Sequence, residues 1–128
     1  MFKLFLRNEM EVGEIKAVGK HIYGNLYGCS ENVLADPTFL RNVVIKAIEV
    51  ARAKLVDVEV YSIEGYNAVI GIVLESHISI HAWPYLKYAT VDVFTCGKTD
   101  PEAAFNYIIE TLKPKKYIKN YVDRSNDL

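Results

Sequence analysis

The sequence carries almost no net charge: 15 basic side chains against 16 acidic ones leave a formal value of −1. Without a basic stripe there is no electrostatic footprint for DNA or RNA, which excludes nucleic-acid binding as the leading function class. No apolar run approaches the ~20 residues that a membrane-spanning helix requires. The opening residues Met1 to Arg7 have neither a long apolar stretch nor a small-residue cleavage site, so no secretory signal is read and a cytoplasmic protein is expected. Only two cysteines occur, Cys29 and Cys96, and in that compartment both are expected as reduced thiols rather than a bridge. A CxxC pair, a Gly-x-Ser-x-Gly elbow, an internal repeat and a linker are also missing. What remains is one domain over residues 1–128, with 51% apolar residues and enough chain for a modest core.

Aromatic residues are abundant, nine tyrosines and five phenylalanines, and supply contact area for a core, a subunit interface or a ring-binding pocket. After a mixed-charge lead-in over residues 1–14, loose alternation from Lys16 to Cys29 reads as a strand, with Gly19, Gly24 and Gly28 as sites for bulges. Asp36-Pro37-Thr38 opens a helix whose apolar positions Leu40, Val43, Val44, Ala47, Ala51 and Leu55 fall at steps of three and four. Val56 to Ile63 reads as a strand closed by Gly65. Asn67 to Leu74 is an apolar run suited to burial on both faces. It leads straight into Ser76–Trp83, where Ile78, Ile80 and Ala82 alternate with His77, Ser79 and His81. Tyr88–Cys96 is a further strand. Thr99 or Asp100 caps a second helix with a stripe of Phe105, Ile108, Ile109 and Leu112. Tyr117–Val122 is a last short strand before a polar tail. The order strand, helix, three strands, helix, strand predicts an α+β two-layer sandwich, a mainly antiparallel sheet with two helices on one face.

The chemistry-bearing residues are spaced in a particular way. Glu75-Ser76-His77 is followed by His81, five positions after the serine, and by Cys96, twenty after it, within Val93-Phe94-Thr95-Cys96-Gly97. Taken singly, each has an ordinary role: a polar strand start, histidines on the wet face of a strand, a small buried thiol at a strand end. A zinc site among His21, Cys29, His77, His81 and Cys96 is set aside, because residues four apart on a strand are roughly 13 Å apart. Taken together, the motifs ESHISIHAWP (Glu75–Pro84) and ATVDVFTCG (Ala89–Gly97) closely resemble the prokaryotic, small-subunit class of S-adenosylmethionine decarboxylase, a family that includes archaeal pyruvoyl-dependent arginine decarboxylases. The resemblance runs from about Ala17 to about Ser125.

That resemblance implies a chain that cuts its own backbone. The Ser76 hydroxyl attacks the carbonyl of Glu75 to give an ester, a base removes the Ser76 Cα proton, and elimination followed by hydrolysis leaves a pyruvoyl group. Residues 1–75 and 76–128 become separate fragments. His81 matches the base, for which an imidazole titrating near neutrality is suited. The pyruvoyl carbonyl then forms a Schiff base with the substrate amine and accepts the electrons left when CO₂ departs, with Cys96 as the proton donor. No separately added cofactor and no metal are implied. Trp83, Tyr85 and Phe94 are expected to contact adenine or the sulfonium, the latter by cation–π attraction. The resemblance also implies a homo-oligomer, with sites where protomers meet.

Three positions depart from the family pattern. Tyr85 stands where the family usually has a glutamate for the ribose hydroxyls. Ala68 aligns with a serine that assists processing, with Asn67 as a neighbour able to supply the missing hydrogen bond. The aromatic that stacks on adenine aligns with Ser62, beside Tyr61. The leading expectation is a decarboxylase of S-adenosylmethionine supplying spermidine biosynthesis. Arginine is the alternative substrate, and a processing-deficient, non-catalytic paralogue is the alternative to an enzyme. On an unbroken strand, parity puts Ser76 and His81 on opposite faces, so a bend at the Glu75–Ser76 bond is required if they share a site.

Overall fold

A computed structural model describes residues 16–127, and the lead-in read over residues 1–14 lies outside them. Six strands form the main sheet: β2 (Gly19–Tyr27), β3 (Lys54–Ile63), β4 (Tyr66–Leu74), β5 (Ser76–Trp83), β6 (Tyr88–Cys96) and β7 (Lys116–Asp123). Their spatial order is β3-β4-β5-β6-β2-β7, with every neighbour antiparallel. Two residues, Lys16–Ala17 (β1), pair with Asn126–Asp127 (β8), so the segment read as a polar tail closes a small second sheet.

Helix α2 (Pro37–Val50) lies across β3, β4 and β5, and α3 (Pro101–Leu112) across β6 and β2, giving the two-layer α+β sandwich expected. Asp36 caps α2 by accepting from the Phe39 amide, and Asp100, not Thr99, caps α3 through the Ala103 amide. Thr99 instead donates to the Cys96 carbonyl at the end of β6. The apolar stripes bury Leu40, Val44, Ala47 and Ile48 from α2 and Phe105, Ile108 and Leu112 from α3 against Ile22, Val69, Ile78, Ile80, Val91 and Val93 of the sheet. Each such side chain contributes about 1.5–3 kcal/mol by leaving water. Close packing is set by glycines. A Cβ on Gly71 would lie 2.7 Å from Ile48 Cδ1, and one on Gly24 2.1 Å from the Ile118 carbonyl oxygen. None of the described helices is long and apolar enough to cross a membrane.

Four features differ from the sequence reading. A one-turn helix, α1 (Glu31–Leu34), capped by Ser30, precedes α2. The α2 stripe stops at Ala51, and Leu55 lies in β3 and is exposed. The glycines of β2 make no bulge: β2 pairs with β6 in unbroken register from Gly19↔Cys96 to Tyr27↔Tyr88, and the irregularity falls in β3 between Leu55 and Asp57. Finally, four strands rather than three separate α2 from α3. Val73 faces Ser76 in the ladder, so Leu74 and Glu75 alone reverse the chain between β4 and β5.

The four inner strands β2, β4, β5 and β6 bury one face under the helices, whereas the edge strands β3 and β7 are exposed along almost their whole length. The β4 run expected to be buried on both sides leaves Ile72 and Leu74 exposed on the other. On that second face the register aligns rows of side chains across strands. One row is Tyr61–Ala68–His81–Thr90, the next Ile70–Ser79–Asp92–Tyr23, and a third Ile72–His77–Phe94–His21.

Candidate active site

Ser76 is the first residue after the two-residue turn, and its φ of +110° lies where L-residues are strained. In a regular strand its side chain would share the helix-covered face with Ile78 and Ile80. The twisted backbone instead lets Ser76 line a cleft of about 480 Å³ with His77, Ser79, His81 and Asp92, all of the other face. The bend that parity demands is therefore present, at Ser76 itself. Ser76 also lines an adjoining cleft of about 440 Å³ with Glu75, Phe94, Cys96, Gly19 and Arg124. With Ile72 it forms the wall the two share.

The first cleft is rich in imidazole. His77 Nδ1 lies 3.4 Å from the Ser76 hydroxyl oxygen, and the His77 ring packs edge-on against Phe94 at 5.9 Å. Burial holds the His77 imidazole below its ordinary value, with the Asp92 carboxylate opposing and His21 and Arg124 adding to the effect. Asp92 accepts from His21 Nε2 at 3.0 Å. His81 is at the other end: five residues along β5 is roughly 16 Å, farther than an imidazole spans. Its Nδ1 is 2.5 Å from the Tyr66 hydroxyl oxygen, and the Tyr66 ring packs on Trp83 at 5.2 Å.

In the second cleft Cys96 is half-buried beside Glu75 and Ser76. Burial raises its thiol above the usual value, and the Glu75 charge adds to that, so the group keeps its proton at neutral pH. Cys29, also a free thiol, is deep in the core and pushed up to about 11. Arg124 places its guanidinium 4.3 Å from the Phe94 ring centre, closing one side of the cleft. Thr95 lies opposite Ser76 in the ladder, and its buried hydroxyl has no hydrogen-bond partner among the described residues. Among the described residues no three His, Cys, Asp or Glu side chains are grouped to hold a metal ion.

The structure thus places Ser76, Glu75, Phe94 and Cys96 together, and Ser76 in one cleft with a distant His81. Tyr85 is not with them: it is exposed, beyond the far end of β5, in a third cleft with Glu31, Ser62, Glu64, Tyr66 and Asn67. Trp83 lies near that end between Tyr66 and Tyr88. Tyr61 faces the same side of the sheet as His81, one strand beyond Ala68, whereas Ser62 donates to Asn67 Oδ1. Asn67 does not fill the gap at Ala68. It is buried on the helix side and its amide donates to the Leu34 carbonyl. Tyr66, Asp92 and Arg124 were missed by sequence reasoning, and His77, although part of the Glu75-Ser76-His77 motif, was given no role. Of the three missed, only Tyr66 left a signal, lying two residues before Ala68 and so on the same strand face.

Known proteins share this architecture and these motifs. Residues 20–125 match the family model described as S-adenosylmethionine decarboxylase. An arginine decarboxylase proenzyme of Hyperthermus butylicus is 52% identical over 120 residues, covering 91% of this chain and 84% of the relative. An S-adenosylmethionine decarboxylase proenzyme of Saccharolobus islandicus is 46% identical over 119 residues, covering 92% of this chain and 98% of the relative. The crystal structure of the adenosylmethionine decarboxylase from Aquifex aeolicus VF5 superposes with a TM-score of 0.78 at 32% identity, covering 86% of this chain and 92% of that one.

Proposed function

Because the chain belongs to the S-adenosylmethionine decarboxylase family, we propose that it is a proenzyme that cleaves itself at Glu75–Ser76 and then decarboxylates arginine. The observation that carries the self-cleavage is the Ser76 backbone, strained at φ +110° immediately after a two-residue turn and walled by both clefts. Such a turn exposes the Glu75 carbonyl to the Ser76 hydroxyl, and His77, held neutral by burial, is placed to take the hydroxyl proton. The bond from Glu75 carbon to Ser76 nitrogen breaks as the ester bond to Ser76 oxygen forms. Removal of the Cα proton by His81 then expels the Glu75 carboxylate. Water enters and ammonia leaves as the new end of residues 76–128 becomes a keto group.

Once formed, the pyruvoyl group supplies an electron sink for a substrate held through its amine. The cleft residues fit such a group. Phe94 and Arg124 wall it from bulk water, and the protonated Cys96 thiol is positioned to deliver a proton after CO₂ leaves. Arginine is favoured as substrate by Tyr85, which offers no carboxylate for ribose hydroxyls, and by the similarity to arginine decarboxylase proenzymes. Asp92 supplies a carboxylate in the cleft, the partner a guanidinium pairs with best. S-adenosylmethionine, with its product feeding spermidine synthesis, is the second reading. The aromatic row Tyr66, Trp83, Tyr88 and Tyr27 favours it as a surface for a purine ring.

The reading includes a homo-oligomer. His81 cannot reach Ser76 of its own chain along β5, so it serves the Ser76 of a partner copy across the uncovered sheet face. Exposed Tyr61, Ile63, Ile72 and Leu74 supply apolar surface there. Intact mass under denaturing conditions tests the cleavage: two fragments split at Glu75–Ser76, with a whole chain for Ser76→Ala. CO₂ release from arginine and from S-adenosylmethionine then decides the substrate. Co-expressing Ser76→Ala with His81→Ala decides the oligomer. If His81 acts across the interface, the His81→Ala chains are cleaved in the mixture and stay whole alone.

A further inference from the structure

Ala68 lies directly across the β4–β5 ladder from His81 and is 4% exposed, so the position next to the imidazole holds a methyl group where a hydroxyl is expected. The imidazole is nonetheless not without a partner. Tyr66, two residues earlier on the same face of β4, brings its hydroxyl oxygen to 2.5 Å from His81 Nδ1. The tyrosine is itself fixed from two sides. Its ring packs at 5.2 Å on Trp83 and lies roughly parallel to the His81 ring at 6.1 Å. No sequence reading places these two together, since they are fifteen residues apart and meet only through the register of two strands.

We propose that Tyr66 is the residue that positions His81 for the elimination step of self-processing, replacing the hydroxyl that Ala68 lacks. The proposal rests on the self-processing reading above. The Tyr66 oxygen accepts the Nδ1 proton, which fixes the tautomer with a lone pair on Nε2 and holds the ring plane. Nε2 takes the Cα proton of the Ser76 ester. The freed electron pair becomes the carbon–carbon double bond, and the bond from Ser76 oxygen to its β-carbon breaks, releasing Glu75 as a carboxylate. The imidazolium that results keeps its Nδ1–H on the Tyr66 oxygen. In this step Tyr66 acts on the ester only through His81, so it is a positioning residue and not a catalytic one.

A positioning role makes a demand that a packing role does not. Tyr66→Phe keeps the ring on Trp83 and removes only the hydroxyl, so ester formation at Ser76 proceeds while elimination lags. Hydroxylamine reports this, because it attacks the Glu75 ester carbonyl to leave a Glu75 hydroxamate and a residue 76–128 fragment with a free serine amine. The experiment follows wild type, Tyr66→Phe, His81→Ala and the double variant Ala68→Ser/Tyr66→Phe by intact mass with and without hydroxylamine, after thermal melts confirm folding. Tyr66→Phe is expected to form pyruvoyl fragment roughly tenfold more slowly, the size of one lost hydrogen bond, and to accumulate hydroxylamine-sensitive ester as His81→Ala does. Ala68→Ser, which puts a hydroxyl back beside the ring, is expected to recover part of the rate. A Tyr66→Phe chain that matures at the wild-type rate, or matures slowly with no ester accumulating, overturns the role of Tyr66 and leaves self-processing intact. A wild-type chain that stays whole overturns both.

Discussion

The Ser76 hydroxyl oxygen and His77 Nδ1 are 3.4 Å apart, although the two residues are sequence neighbours whose side chains diverge on any regular strand. The positive φ of Ser76 brings them to one face. On the proposed self-processing, that contact and the long separation of His81 assign the two proton transfers to two histidines, His77 for the attacking hydroxyl and His81 for the Cα proton.

The titration of His77 gives this division a pH signature. Burial lowers its imidazole from the ordinary 6.5, Asp92 opposes, and His21 and Arg124 reinforce. Between the lowered value and 6.5 the unfolded chain binds the extra proton, so neutral His77 contributes stability that is complete above pH 6.5 and is lost as pH falls through the lowered value. Ester formation follows the same window. It is expected to hold its rate from neutral pH to somewhat below 6.5 and to fall at lower pH. His77→Gln is expected to slow it about a hundredfold and to flatten the acid limb. Intact mass after incubation across a pH series reads both. An unchanged acid limb in the variant removes His77 from the step.

Cys96 separates maturation from turnover. Its thiol is raised by burial and by the Glu75 charge, so it stays protonated at neutral pH, as the proposed role of proton donor requires. Cys96→Ala is expected to cleave at Glu75–Ser76 and yet to release CO₂ about a hundredfold more slowly, or to divert into side products for want of the proton. Fragment masses and CO₂ release measured on the same preparation check this. A Cys96→Ala chain that cleaves and turns over normally rules the thiol out. Cys29, core-buried with its thiol near 11, is expected to resist iodoacetamide after Cys96 has reacted.

The elements that sequence reading found are those with a period. The stripes of α2 and α3 and the alternation of β5 and β6 are local, and they bury the residues they single out. Where the reading failed, the deciding contact lay elsewhere in the chain. Gly24 is small because Ile118 of a distant strand crosses it, not because β2 bulges. Asn67–Leu74 reads as buried on both faces because apolar side chains look alike in sequence whether a helix covers them or they are exposed. Ser76 and Cys96 were singled out by their motifs, and the fold brings both to one cleft. Tyr66 was not, because its link to His81 exists only once β4 and β5 are in register.

Under the proposed function Tyr85 bears on the choice of substrate. It is 64% exposed just past β5, so a change there is expected to alter binding without unsettling the core. Tyr85→Glu restores a carboxylate able to accept two hydroxyl donors of a ribose. The expected outcome is a rise in the ratio of kcat/KM for S-adenosylmethionine over that for arginine, with the maturation rate unchanged. Rates of CO₂ release from both substrates measure it. If wild type already prefers S-adenosylmethionine and the ratio does not move, Tyr85 lies outside the substrate site.

Thr95 presents a cost that the fold does not recover. Its side chain is 1% exposed and its hydroxyl has no hydrogen-bond partner among the described residues, a condition that costs about 1–3 kcal/mol. Valine has nearly the same shape and no hydroxyl, so Thr95→Val is expected to raise the urea midpoint of the uncleaved Ser76→Ala chain. Thr95 faces Ser76 across the ladder, so under the proposed self-cleavage its hydroxyl is, among the described residues, the nearest unpartnered donor to the Glu75 carbonyl that would gain negative charge when the Ser76 hydroxyl attacks. If that donor reaches the oxyanion, removing it would cost about 10²-fold in rate. In the otherwise wild-type chain, Thr95→Val is therefore expected to form ester more slowly, with no build-up of hydroxylamine-sensitive species, the opposite of the pattern expected for Tyr66→Phe. Greater stability with an unchanged maturation rate would leave Thr95 as a packing defect unconnected with the chemistry of Ser76.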